Sequence, residues 1–278
     1  MLSIIIPTKN EGCNISACIN AVVWAQEKGS AEVIVVDNHS TDNTVAIARS
    51  LGVRVVPFGN ERSSQRNRGG MVEARGEYLF FIDADMQVRA ETLKEILVLV
   101  NGESPPDALY VREEMSGSGL LTRIRNFERS FYDATCIDGL RVVRKSLFLE
   151  LNGFDESLCG PEDWDFDRRL LQKTNKVAIT KGTLLHNEGD ISLMRLIQKK
   201  RYYAGNMHVY RKKWGNDLIV RKQLGVTYRF FWVFMENGRW KRSLSHPFML
   251  LSVWIYKFVV CLFLVGTLIK PEQSQQAG

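Results

Sequence analysis

Paired cysteines are missing from this 278-residue chain; Cys13, Cys18, Cys136, Cys159 and Cys261 are odd in number and show no metal-ligand spacing. A disulfide framework and a cysteine-ligated metal site are therefore not expected. Met1 leads directly into the strand-like Leu2 to Ile6, with no charged region and apolar leader before it, so the bulk of the chain is expected in a reducing cytosol. Internal repeats, low-complexity tracts and recognisable RNA or DNA motifs are also lacking. What is present, 45% hydrophobic and 10% aromatic residues, suffices for a substantial core in one large or two small domains.

Acidic residues are scarce towards the C-terminus. From Arg195 onward there are 15 Lys and Arg against three acids, a net +12, which leaves residues 1–194 with 22 basic and 28 acidic residues, a net −6. Such a basic region suits nucleic acid or the anionic face of a membrane, or is an ordinary solvated helical surface. Here the basic residues interleave with aromatics, as in Tyr228 to Met235 flanked by Arg221, Lys222, Arg229 and Arg239. That favours a membrane surface and no nucleic acid.

Over the first hundred residues, apolar runs of strand length (Leu2 to Ile6, Val33 to Val36, Val53 to Pro57, Tyr78 to Ile82) alternate with helical patterns (Ile15 to Trp24, Val45 to Leu51). This predicts an α/β fold with a mostly parallel sheet flanked by helices. Gly102 to Pro106 is the clearest loop and a possible subdomain boundary.

The most informative stretch is Phe80-Phe81-Ile82-Asp83-Ala84-Asp85-Met86, a buried-type strand ending in two carboxylates one residue apart. In open α/β sheets ligands bind at the carboxyl ends of strands. Carboxylate oxygens there suit Mg²⁺ or Mn²⁺ beside a pyrophosphate; the plain alternative is an acidic turn. Other strands end in Pro7-Thr8-Lys9-Asn10-Glu11 and in Asp37-Asn38-His39-Ser40-Thr41-Asp42-Asn43-Thr44. Asp37 could accept from a nucleobase N–H, while Thr41 or Asp42 reads equally as a helix N-cap. Arg66 and Arg68, beside Gly69 and Gly70, could fork onto a phosphate or be surface charges.

Taken together, six motifs resemble the inverting glycosyltransferases of family 2 with the GT-A fold over roughly residues 2–190. They are Ile4 to Glu11, Val35 to Thr44, Arg66-Asn67-Arg68-Gly69, Asp83-Ala84-Asp85, Gly153-Phe154-Asp155-Glu156 and Glu162-Asp163-Trp164-Asp165. The resemblance implies that Pro7, Thr8, Glu11 and Asp37 hold the nucleotide and that Arg66 lies near base and phosphates. It implies a ribose or metal-shell contact for Asp83, a divalent cation, Mn²⁺ or Mg²⁺, on Asp85, and a catalytic base in Asp163, with Glu162 and Trp164 on the acceptor side. His186 is expected as a further metal ligand, with a structural histidine as the alternative. Gly153 to Glu156 resembles an acceptor-side loop, or is a turn closing the sheet edge.

The chemistry is consistent: an inverting transfer needs one carboxylate base, and a diphosphate leaving group stabilised by cation and arginine needs no general acid. Acidic residues from Glu162 to Asp167 also suit the first turn of a helix. The expected activity is transfer of one sugar from a nucleotide-sugar donor to a lipid-linked glycan or glycolipid in cell-surface polysaccharide biosynthesis, with a polyprenyl-phosphate acceptor as runner-up. Gln198-Lys199-Lys200-Arg201-Tyr202 departs from the Gln-x-x-Arg-Trp motif of processive synthases by its Tyr, which favours single additions.

Domains are expected at 1–190, catalytic, and 191–278, a basic and aromatic helical region that associates with membrane. Within it Phe248 to Ile269 offers 22 mostly apolar residues, about 33 Å as a helix and long enough to span a bilayer or lie in its plane. Lys257 near its middle opposes a simple span. The charge pattern predicts attachment at the cytoplasmic face.

Overall fold

The structure, a computed structural model, describes residues 1–187, 194, 197, 198 and 207–268; Lys199 to Tyr202 of the Gln198 motif lies outside the described residues. The chain runs β1 (Leu2–Thr8), α1 (Ile15–Glu27), β2 (Ala31–Asp37), α2 (Thr44–Ser50), β3 (Arg54–Pro57) and α3 (Arg62–Asn67), the last continuing as a π-helical turn over Arg68–Glu73. It proceeds through β4 (Tyr78–Phe81), β5 (Met86–Val88), α4 (Ala90–Val100), β6 (Ala108–Met115), α5 (Leu120–Arg129), β7 (Val142–Arg144), α6 (Lys145–Glu150), α7 (Glu162–Leu171) and β8 (Val177–His186). Helices α8 (Met207–Trp214), α9 (Leu218–Leu224), α10 (Val226–Phe230), α11 (Trp240–Ser245) and α12 (Pro247–Leu268) follow.

The eight strands form one sheet in the order β3-β2-β1-β4-β7-β6-β8-β5. Its first four strands are parallel, and β7 then enters antiparallel between β4 and β6. All seven residues of β1 are buried, which is why the strand is apolar without alternation. Its side chains divide between two cores: Leu2, Ile4 and Ile6 meet α1 and α4, while Ile5 meets Phe148 and Phe166 from α6 and α7. The Gly69-Gly70 pair lets the π-helical turn lie flat on this second face. A Cβ on Gly69 would stand 2.5 Å from Ile5 Cγ2, and one on Gly70 would stand 2.9 Å from Phe148 Cε1.

β1 is the point where strand order reverses, with β2 on one side and β4 on the other. Thr8 pairs with Asp37 at the carboxyl end, and Asp83 follows β4 two residues later, so the three meet at the edge where α/β folds take ligands.

The C-terminal helices correct one expectation. Among the described residues no helix is long and apolar enough to cross a membrane. One side of α12, through Val253, Tyr256 and Val260, joins a core with Ile124 and Phe131 from the α5 region. Lys257 is buried and its ammonium meets Glu128 Oε1 at 3.1 Å and the Arg229 carbonyl. The apolar residues all around this helix thus serve a protein core on one side, and the lysine that opposes a span has its partners in α5 and α10. The other side is bare: Phe248, Leu251, Ile255, Phe258 and Leu262 are exposed at spacings of three and four. Phe231, Trp232 and Met235, from the broken run after α10, are exposed as well.

Candidate active site

Arg66 is the centre of the site. It lies on α3, is 1% exposed, and stacks over Phe154 at 5.4 Å. Its Nη2 donates to Asp83 Oδ1 at 2.7 Å and its Nη1 to Asp163 Oδ1 at 2.9 Å. One guanidinium therefore joins the end of β4 to the first turn of α7. Asp83 Oδ2 lies 3.7 Å from Arg62 and 3.6 Å from Arg141. Burial pushes the Asp83 carboxyl up, but the three arginines outweigh it and hold it well below the usual carboxylate range.

Asp163 is partly open, its side chain 28% exposed. Gly139 packs against it so closely that a Cβ there would lie 3.1 Å from Asp163 Cβ. Its neighbours point elsewhere. Glu162, expected on the acceptor side, is wholly buried, accepting from Arg62 and from the Gly160 N–H; burial first, then Asp163, pushes its pKa up. Trp164 is half-buried, with the Arg229 guanidinium over its ring at 5.2 Å. Asp165 is buried with Arg169, Lys213 and Trp214. Asp167, where burial pushes the carboxyl up to about 8, accepts from the Tyr110 hydroxyl at 2.7 Å.

The residues expected to hold the nucleotide line the carboxyl edge. Asp37 is buried and accepts from the Ser40 N–H at 2.9 Å and its hydroxyl at 2.5 Å. That turn passes through His39 at φ 49°, and Asn10, at φ 55°, accepts from the Thr41 N–H. Both residues lie in the left-handed region where non-glycine backbone is strained, a feature that gathers at ligand sites. Pro7 and Thr8 end β1, and Thr8 Oγ1 is buried without a hydrogen-bond partner among the described residues. Glu11 accepts from Asn14 Nδ2 at 2.8 Å; burial, and then Asp85 and Asp83, raise its pKa against that bond.

The β5–β8 pairing sets Met86 opposite His186 and brings the imidazole to Asp85, with Nε2 3.1 Å from Oδ2. Adjacent ligands of an octahedral cation with bonds of about 2.1 Å lie about 3 Å apart, so the spacing fits a shared divalent ion. Among the described residues Asp85 Oδ1 and His186 Nδ1 are buried without hydrogen-bond partners. Asp83 does not join them, since both its oxygens face arginines. Among the described residues no group of three or more His, Cys, Asp or Glu side chains forms a metal cage, so the contact between His186 and Asp85 has no third such side chain beside it there.

Several contributors carry little sequence signal. Arg141 leads into β7 and bonds Glu113 at 2.6 Å, and Arg129 bonds the same carboxylate at 2.7 Å. Burial raises the pKa of Glu113 and the arginines lower it further, to about 2. Gln65 Nε2 donates to the carbonyls of Thr8 and Val36, tying α3 to two strand ends. Asn67 holds the Gly153 to Glu156 segment through the Phe154 backbone and Glu156. Arg62 did have a signal, being four residues before Arg66 and so on the same helix face. Arg68 pairs with Glu73 at 2.6 Å and stacks on Phe58, away from this cluster.

Comparisons with known proteins agree with this arrangement. The family model for glycosyl transferase family 2 matches residues 3–151. An uncharacterized glycosyltransferase of Haemophilus influenzae is 27% identical over 187 residues, which are 62% of this chain and 63% of that protein. Among solved structures, S. aureus TarS 1-349 in complex with UDP-GlcNAc has a TM-score of 0.57 at 20% identity, over 91% of this chain and 79% of that one. A mannosyltransferase from Pyrobaculum calidifontis in complex with GDP-Man and Mn²⁺ has a TM-score of 0.58 at 15% identity, over 96% and 79%. The parallel half-sheet, the carboxylates at its edge and the matched residues agree: the chain belongs to glycosyl transferase family 2 and has its GT-A-like α/β fold.

Proposed function

We propose that this chain transfers one sugar, with inversion, from a nucleotide-sugar donor to a hydroxyl of a lipid-linked glycan or glycolipid, in cell-surface polysaccharide biosynthesis. The observation that carries the reading is the bridge Asp83–Arg66–Asp163, which sets a partly open carboxylate one arginine away from the nucleotide edge. Thr8, Glu11 and Asp37 would hold the nucleoside, and Arg62, Arg66 and Arg141 supply positive charge where the diphosphate departs. Asp163 takes the proton of the acceptor hydroxyl as the new bond forms.

Asp85 and His186 would hold Mn²⁺ or Mg²⁺ together with diphosphate oxygens. That ion supplies Lewis-acid stabilisation of the leaving group. The solved neighbours named with UDP-GlcNAc and with GDP-Man and Mn²⁺ support both the donor class and the ion. The test is calorimetry of a nucleoside diphosphate panel with and without Mn²⁺. One diphosphate should bind, at least tenfold tighter with metal, and Asp85→Ala should abolish the metal effect. Absence of binding by every diphosphate would sink the assignment.

A second reading takes polyprenyl phosphate itself as acceptor. Arg66, which donates to both Asp83 and Asp163, would meet an anionic nucleophile in the same way.

The exposed apolar residues of α12, with Lys241 and Arg242 nearby, suit attachment in the plane of the cytoplasmic membrane face. Cosedimentation with vesicles is expected to require anionic lipid and to weaken with salt. Equal sedimentation with zwitterionic vesicles, or none with either, would count against attachment.

A further inference from the structure

Two asparagines 173 residues apart join the Glu11 turn to the strand end that carries His186: Asn187 Nδ2 donates to Asn14 Oδ1 at 3.0 Å. Asn14 stands at the N-cap of α1. An asparagine there ordinarily turns its oxygen onto the N–H groups of the first turn, yet among the described residues this side chain makes no cap bond. Its Nδ2 donates instead to Glu11 Oε2 at 2.8 Å, which leaves its oxygen facing Asn187. A local preference set aside in this way points to a constraint from elsewhere in the fold.

Asn187 directly follows β8. Its N–H donates to the Asp85 carbonyl at 2.8 Å, carrying the β5–β8 ladder one bond past the Met86–His186 pair. Its amide is held on both sides, since the oxygen accepts from Ser116 Oγ at 3.2 Å while the NH₂ reaches Asn14. Ser116 also donates its N–H to the His186 carbonyl at 2.9 Å. The bridge spans the sheet as well: β1, which leads into Glu11, is third in strand order and β5 is last. Beyond the sheet order, Met86 and Val88 of β5 share a core with Ile15, Cys18 and Ile19 of α1, and the Asn14–Asn187 bond fastens that closure at the end that carries Glu11 and Asp85.

We propose that the Asn14–Asn187 bridge is a positioning device that fixes Asp85 and His186 relative to the Glu11 turn, so that a cation held on one side meets a diphosphate whose nucleoside is held on the other. This rests on the transferase reading above, with Asp85 and His186 as the cation's ligands, and it assigns the coupling between metal and nucleotide to two side-chain amides. Groups that orient metal ligands typically matter by about 10- to 100-fold in metal affinity.

The test is calorimetric titration of UDP, GDP, ADP, CDP and dTDP into the full chain over a series of Mn²⁺ concentrations. For the diphosphate that binds, Asn187→Ala and, separately, Asn14→Ala should raise the Mn²⁺ concentration giving half of the metal effect by about 10- to 100-fold, while affinity without metal stays within threefold. Because the two side chains act as one bridge, the double variant should rise no further than either single one, whereas independent defects would multiply. A half-effect concentration within twofold of the wild type in both single variants, an equal loss with and without Mn²⁺, or effects that multiply in the double variant would overturn the bridge. In the wild type, diphosphate binding with no metal effect would instead overturn the cation reading, and no binding of any diphosphate the transferase reading, so these failures are separable.

Discussion

Asp163→Asn should lower turnover with a hydroxyl acceptor by about 10²- to 10⁴-fold, the usual contribution of a positioned general base, while diphosphate affinity changes by no more than a few-fold. The asymmetry follows from the site. Asp163 is hydrogen-bonded to Arg66 Nη1, whereas Asp83, at the strand edge, takes the other Nη of the same guanidinium. Asparagine keeps size and can still accept from Arg66, so the fold at α7 is preserved. Only the capacity to take a proton is lost. The measurement is kcat beside calorimetric diphosphate binding. Turnover near that of the wild type would remove Asp163 as base and move the polyprenyl-phosphate reading to first place, since an anionic acceptor brings no proton to be taken.

Arg66→Met should destabilise the protein by about 3–5 kcal/mol at neutral pH, as breaking a buried ion pair does. Methionine can refill the space against Phe154, so the cost comes from the stranded charge of Asp83, left with Arg62 and Arg141 at 3.7 and 3.6 Å. The pH dependence gives a second readout. Asp83 is held well below the ordinary carboxylate pKa in the folded protein. Its contribution is therefore fully present above the unfolded value of about 3.9 and is lost as pH falls below it. The deficit of Arg66→Met should accordingly be full at pH 7 and shrink below about pH 4. Lysine should not rescue, because a single ammonium cannot span two carboxylates as the two Nη atoms do. A deficit under about 1 kcal/mol in denaturant titrations at pH 7, or one that does not narrow in acid, would contradict the central place given to this arginine.

Much of the edge could be read from residue order because its signals are local. Leu2 to Ile6 and Tyr78 to Ile82 are continuous apolar runs, and the polar residues that follow them are fixed at the strand ends by chain continuity alone. Arg141 and Glu113 had no such signal. Arg141 reaches Asp83, and Glu113 reaches Arg141, because β7 inserts antiparallel between β4 and β6, a long-range pairing that neither segment announces. Phe248 to Ile269 was legible in length but not in use. A helix apolar on all sides suits a bilayer or a protein interior equally, and what decides here is that Lys257 finds Glu128 and the Arg229 carbonyl. Likewise, nothing local distinguished Glu162 from Asp163; the helix start turns one towards Arg62 and the other towards Arg66.

Helix α5 presents Glu128 and Arg129 in succession, and they serve two different clusters. Glu128 holds Lys257 of the terminal helix, and Arg129 holds Glu113, which holds Arg141 beside Asp83. The terminal helix is thereby not a tether that could be cut away with the catalytic half left as it was. It is one end of a beam whose other end bears on Asp83, so a load on that helix is also a load on Arg141 at the carboxyl edge of the sheet.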